Sequence, residues 1–341
     1  MVSMKDVARA CGVSVATVSK ALNDHSDIGE ETRNRVKETA RRMNYFPNSS
    51  ARTLKTKRSY NLGVLLMDED HNGFRHERFA RVLDAFKVSA EKHGYDLTFI
   101  GSQGKMTFYE HARYRGVDGM LIACVNFHMP EVLELVHSQI PVVTIDYVFD
   151  NCIGVISDNI AGMRQLTDYA ISQGHRRIAY VYGTRVKNDE TQYESSVTTN
   201  RVNSFFCEME KHGLQVPSEY LRPIRYRDTV RAEEETEKLL SLTHPPTCIF
   251  YSDDKAATGG IKAIRKAGLR IPEDISIAGY DGSELADLLS PSLTTVNQND
   301  EQVGEMAAQL LIRSIETPQR ILLETVVIPA KLVEGETIGK L

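Results

Sequence analysis

The chain has 341 residues, of which 41% are hydrophobic and 26% charged, the balance of a soluble globular protein with two or three domains. No run approaches the ~18 consecutive apolar residues that would suggest a membrane span, and the N-terminus lacks the basic patch and apolar core of a secretory leader. The five cysteines are scattered, with no CxxC or Cys/His cluster, so free thiols in a reducing cytosol are expected and no cofactor or metal is.

The net charge of −5 hides an asymmetry. Residues 1–58 hold 12 Lys/Arg against 6 Asp/Glu, a balance of +6, so the remainder must carry −11. A basic head on an acidic body suggests a polyanionic partner for the head alone. A solvated basic face without a partner is the alternative.

In chain order, the first pattern is two short helices around a tight turn. Ser3 is placed to cap the first, with Asp6 favouring the helix dipole and Val7, Ala8 and Cys11 on its apolar side. Gly12 breaks it. Ser14 is placed to cap a second helix running to about Asn23, with Val18 and Leu22 pointing inward. A third helix is expected over residues 30–43, on the apolar spacing of Val36, Ala40 and Met43. Two helices joined by a glycine turn, then a third closing the core, is a helix-turn-helix layout. The start of its second helix would face base edges in a major groove. Val15 and Ala16 there offer apolar contact to thymine methyls, and Lys20 reaches guanine or phosphate. Three-helix cores that bind no DNA share this pattern.

The stretches KDVARACGVSVATVSKALN and TRNRVKETARRMNYFPNSSARTLKT together resemble the DNA-binding head of the LacI/GalR family of bacterial regulators. The VSxATVS core, NYxPN and ARxLK all fall at the family's spacing. The resemblance implies DNA contacts from Ser14, Val15, Ala16, Thr17, Ser19, Lys20, Asn23 and Arg33 within a helix-turn-helix domain over residues 1–47. Lys stands at position 20 where the family most often has Arg, which removes a bidentate fork. Residues 48–59 would be hinge helix and linker. They are basic and polar apart from Leu54, and too short to hold a helix alone. The resemblance implies that this helix orders on DNA, with Asn48, Ala51, Arg52 and Lys55 at the groove and Leu54 wedged between base pairs from the minor-groove side.

From Tyr60 the texture changes to alternating strands and helices. Strands are expected over 61–67, 95–100, 118–124, 141–146, 153–157, 177–182, 247–251 and 275–280. Helices are expected over about 74–93, 160–172, 199–212, 230–242 and 255–267. This series implies parallel sheets in two doubly wound lobes. MDEDHNG after the first strand is not GxGxxG, so nucleotide-cofactor chemistry is not expected. No GxSxG, HExxH or Walker loop appears, and an enzyme is not expected. Asp68, Asp146, Asp253, Asp254 and Asp281 fall at strand ends, with Arg201 near a helix start. Carboxylates facing an arginine suit a polyhydroxyl ligand; capping or loop-surface charges are the alternative reading.

The resemblance extends over the body through GHRRIAYVYG, SDDKAATGGIKAIRKAGLRIPEDISIAGYDG and SPSLTTVNQNDEQVGEMAAQLL. It implies an effector and dimerisation domain of periplasmic-binding-protein type over 60–341, lobe one at about 60–158 and 289–318, lobe two at about 159–288 and 319–341. Its implied effector contacts are Phe74, Asp146, Arg201, Asp253 and Asp281. Two departures flank this site: a shortened segment at 101–116, and a long loop at 184–198 placed to cover the cleft. The expected protein is a cytoplasmic homodimer that binds a palindromic DNA operator and is released by a sugar-like inducer. A corepressor, a protein effector, or a sugar-binding receptor are the alternatives.

Overall fold

A computed structural model describes residues 2–22, 24–46, 57–66, 76–101, 105–187, 191–193, 196–317 and 323–341, with backbone only for 185–187 and 191–193. They divide into two compact units, Met1–Ser59 and Tyr60–Leu341.

The first unit is three helices, α1 (Met4–Cys11), α2 (Val15–Leu22) and α3 (Glu30–Arg42). Ser3 and Asp6 close a reciprocal capping box, and Gly12 ends α1 at φ 64°, a left-handed conformation suited to glycine. Ser14 Oγ accepts from the Thr17 amide at 3.0 Å and starts α2. Val7, Ala8, Cys11, Val18, Ala21, Val36 and Ala40 form the core. Ala21, rather than Leu22, fills the fully buried position on α2. The helices pack closely enough that a small residue takes the centre, leaving Leu22 half-buried at the margin.

The second unit begins with β1 (Asn61–Leu66), α4 (Glu77–Lys92), β2 (Asp96–Ile100), α5 (Phe108–Arg115), β3 (Gly119–Ala123), α6 (Pro130–Val136), β4 (Val142–Ile145) and β5 (Ile153–Ser157). These strands form one parallel sheet in the order β5-β4-β3-β1-β2. The chain then crosses to α7 (Asn159–Ser172), β6 (Ile178–Lys187), β7 (Thr191–Tyr193), α8 (Ser196–Lys211), β8 (Leu221–Arg225), α9 (Thr229–Leu240), β9 (Cys248–Tyr251), α10 (Asp254–Lys266), β10 (Ser276–Ala278) and α11 (Glu284–Leu288). Parallel strands β10-β9-β6-β8 make the second sheet. Strand β8 lies at its edge, where Pro223 breaks no second ladder; that proline hid the strand from the sequence pattern.

Two assignments are corrected. The stretch 184–198 is not simply an extended loop. Strand β6 runs on to Lys187 and pairs antiparallel with β7, Arg185 opposite Tyr193 and Lys187 opposite Thr191. The lobe boundaries also shift. Leu293 packs in the lobe-two core, so the return to lobe one comes after it, through β11 (Thr295–Asn297) and α12 (Asp300–Glu316). Then β12 (Thr325–Ile328) joins the lobe-one sheet parallel to β5 before β13 (Lys331–Val333) pairs with β11. A short strand beside β5 satisfies that edge's hydrogen bonds, and sequence alternation alone does not say which sheet it completes.

Helix α12 packs against α4 through Val303, Ala307, Ala308 and Leu311 on one side and Val82, Phe86 and Ala90 on the other. A Cβ on Gly304 would lie 2.1 Å from the Val82 carbonyl oxygen. The glycine therefore lets the two helix starts approach, and both starts carry charged side chains toward the junction of the lobes.

Candidate functional site

On the head, α2 presents what a DNA groove would meet. Ser14, Val15, Ala16 and Lys20 are exposed, Thr17 and Ser19 half-buried, because Val18 and Ala21 take the inward face. Thr17 Oγ1 sits 2.8 Å from Ser14 Oγ within the helix cap. Lys20 is ion-paired with Asp27 and Lys37 with Asp24 at 2.5 Å, contacts that exposed side chains exchange at little cost. Arg33 is half-buried. Its guanidinium donates to the carbonyls of His25 at 3.0 Å and Ile28 at 2.9 Å, so it braces the loop before α3. Asn23, Asn48, Ala51, Arg52, Leu54 and Lys55 lie outside the described residues, as do Asp68 and Phe74.

Between the lobes, charged side chains converge from five elements. Arg78 on α4 is 5% exposed. It donates from both terminal nitrogens to Asp146 at the end of β4, and its Nε lies 3.0 Å from Asp300 Oδ1 at the start of α12. Arg81, one turn on, donates to Asp300 Oδ2 at 2.7 and 3.1 Å, to Glu77 at 2.9 Å and to the Asp281 carbonyl at 3.1 Å. The last bond joins lobe one to lobe two. Ser196 Oγ at the start of α8 donates to the Asp146 carbonyl at 3.3 Å, a second link across the junction.

On the lobe-two side, Arg201 of α8 is 3% exposed. It donates to Asn159 Oδ1 at 2.7 Å and to the Ser252 carbonyl at 3.0 Å, and lies 3.6 Å from the centre of the Tyr280 ring. Gln298 donates to Asp281 Oδ1 at 2.5 Å. Burial pushes the Asp281 carboxyl up to about 8, against the pull of Arg201. Burial likewise pushes Asp254 up to about 7, although Thr295 and Ser283 donate to it.

The structure thus brings Asp146, Arg201 and Asp281 to one junction. Asp253 is spent elsewhere. Its Oδ1 caps α10 through the Ala256 amide at 2.8 Å, and its Oδ2 accepts from Ser252 Oγ at 2.8 Å and the Arg227 amide at 3.1 Å. In this structure its carboxylate serves as the helix cap. Arg78, Arg81, Asp300 and Gln298 were not legible as site residues. One signal existed: two arginines in the opening turns of α4 oppose its dipole, so carboxylates from elsewhere must hold them.

Both raised carboxyls give a pH signature. Between the ordinary carboxyl value of 3.8 and about 7 to 8, the folded chain holds protons that the unfolded chain has released. Their contribution is complete at low pH and lost as pH rises through that window. Melting temperatures of the full chain at pH 5 and pH 8.5 are expected to show a smaller wild-type advantage over Asp281→Asn at the higher pH. An advantage independent of pH would refute this assignment.

Residues 3–48 match the model for bacterial regulatory proteins of the lacI family, and residues 167–338 match a periplasmic binding protein-like domain. The ribose operon repressor of Escherichia coli (strain K12) is 30% identical over 330 residues, covering 93% of this chain and 94% of that protein. The chain belongs to the lacI family of bacterial regulatory proteins. As a lacI-family regulator it binds DNA through the head just described. The HTH-type transcriptional repressor PurR of Vibrio vulnificus (strain CMCP6) is 31% identical over 328 residues, covering 93% of this chain and 92% of that protein. Among solved structures, the Lac repressor dimer bound to operator and an anti-inducer is 24% identical, with TM-score 0.79 over 99% of each chain. A LacI-family regulator from Enterococcus faecium with bound ribose is 22% identical, with TM-score 0.68 over 82% of this chain and 99% of that one. Both share the body's fold of two parallel-sheet lobes, and the first covers the helical head as well.

Proposed function

We propose that this lacI-family member is a homodimeric, cytoplasmic repressor of carbohydrate-utilisation genes, and that a small polyhydroxyl inducer bound between its lobes releases it from a palindromic operator. The observation that carries the effector half is the junction itself. Asp146, Arg201 and Asp281 reach it from separate elements, carboxylates on one hand and a guanidinium over an aromatic ring on the other. Such a set accepts and donates to vicinal hydroxyls. The named specificities of relatives point the same way, since one is a ribose operon repressor and one solved relative holds ribose. The operator half rests on the exposed start of α2 and the basic residues 1–58, with a two-fold dimer placing two heads on two half-sites. Leu54 is assigned the minor-groove wedge and Asn48, Ala51, Arg52 and Lys55 the hinge contacts around it. Effector and operator then oppose each other's binding by the same factor.

The test is a thermal-shift screen of the full chain against pentoses, hexoses, disaccharides, sugar phosphates and purines. A ligand at one hundred times its dissociation constant adds about 2.7 kcal/mol, a clear shift. A pentose or hexose that shifts wild type, fails to shift Arg201→Ala or Asp281→Asn, and lowers operator affinity in a gel-shift assay is the expected result. A purine that raises operator affinity instead would make the chain corepressor-dependent, and turnover of the bound sugar would overturn the repressor reading.

A further inference from the structure

Away from the lobe junction, α7 and α8 lie side by side on lobe two and bring three ligand-type side chains to one point. His212, the residue after α8, has Nε2 2.7 Å from Asp168 Oδ1 of α7 and 3.5 Å from Glu208 Oε1 of α8. One nitrogen and two carboxylate oxygens all lie within 4.8 Å of one another. A divalent ion with bonds near 2.1 Å sets neighbouring ligand atoms about 3 to 3.5 Å apart, close to these spacings. Glu208 and His212 are one helical turn apart, so a single helix face supplies two ligands, and the neighbouring helix supplies the third. Glu208 is also a buried carboxylate, its side chain 5% exposed, whereas Asp168 and His212 remain open to solvent. Together the three make a built floor with an open front, where water can complete the shell.

We propose that Asp168, Glu208 and His212 form a zinc-class divalent metal site that clips α7 to α8. Mixed imidazole and carboxylate donors suit Zn²⁺, with Ni²⁺ as a close substitute, whereas Mg²⁺ and Ca²⁺ favour all-oxygen shells. Binding needs two rearrangements. The His212 Nε2 proton that now serves Asp168 leaves to solvent, and Lys211 Nζ, 2.5 Å from Glu208 Oε1, swings into water. The clip has a place in the protein's action because both helices lead to the lobe junction: Asn159 opens α7 and Arg201 sits on α8, bonded to each other at 2.7 Å. Fixing one helix against the other fixes that pair. This site stands independently of the effector reading, since none of its three residues belongs to the junction.

The experiment is isothermal titration of metal-stripped full chain with ZnCl₂, in a Cys207→Ser background because Cys207 is an exposed thiol on the same helix. One ion per chain is expected. Asp168→Asn and His212→Gln, both at exposed positions, are expected to abolish that binding while leaving the metal-free melting temperature within a few degrees. Histidine nitrogen coordination in the X-ray absorption of the Ni²⁺ form, lost in His212→Gln, is the second readout. Absence of a stoichiometric ion in wild type, or binding unchanged in both variants, would overturn the site and leave the three residues as an ion pair between helices.

Discussion

Arg78→Met is expected to destabilise the chain by about 3 to 5 kcal/mol, far more than an ordinary surface substitution. Arg78 is buried and opposed by two carboxylates, Asp146 and Asp300, whose side chains are 13% and 3% exposed. Burial alone would depress its guanidinium, but the charges of Asp146 and Asp300 more than reverse this and the ionised form is held firmly. Burial raises the Asp300 carboxyl against the pull of Arg78 and Arg81. Methionine fills a similar volume yet supplies no charge, so Asp146 loses the guanidinium that holds it and Asp300 is left to Arg81 alone, in a place water reaches poorly. The control is decisive. If the loss comes from stranded charge, adding Asp146→Asn and Asp300→Asn to Arg78→Met restores part of it in urea denaturation. If the loss comes from packing, the triple variant is no better than the single one. The same cluster joins the start of α4 to the Asp281 carbonyl of lobe two through Arg81, so Arg78→Met is also expected to alter the response to the effector.

The second large effect is ionic. Operator affinity is expected to fall by about 10³-fold or more between 50 and 200 mM salt, the loss that about six to ten phosphate contacts impose by releasing condensed counter-ions. Residues 1–58 carry the +6 balance that makes this possible while the body is acidic. The body's charge also sharpens the contrast, because residues 60–341 repel DNA rather than add to the slope. Titration of labelled operator at several salt concentrations gives a log–log slope directly. A slope near zero would mean the head does not neutralise phosphates. Lys20→Ala is expected to reduce the slope or the base preference, since its pairing with Asp27 is exposed and exchangeable.

Local chemistry made much of the protein legible. Ser3, Asp6, Gly12 and Ser14 state where the first two helices begin and end, since caps and left-handed turns depend on single residues and their immediate neighbours. The apolar strand runs of the body, such as NLGVLL and GMLIA, state burial on both faces. Asp146, Arg201 and Asp281 were visible as candidates because ligands in such folds sit beyond strand ends. Asp253 sits in the same kind of place and also caps a helix; a carboxylate just before a helix reads identically as ligand donor and as cap.

By itself, then, the sequence determined the helix-turn-helix head, the doubly wound body, the family and the charge division between them. The family comes from the resemblance of whole motifs; the rest follow from periodicity, caps and composition, which are properties of neighbouring residues. Only the tertiary structure decided that Arg78 and Arg81 meet Asp146 and Asp300, that Thr325–Ile328 completes the lobe-one sheet, and that Asp168 faces His212 across two helices. Each of these joins residues far apart along the chain. Such pairings are set by which faces pack, as Gly304 against Val82 shows for α12 and α4, and a buried charge reveals its partner only once that packing is fixed.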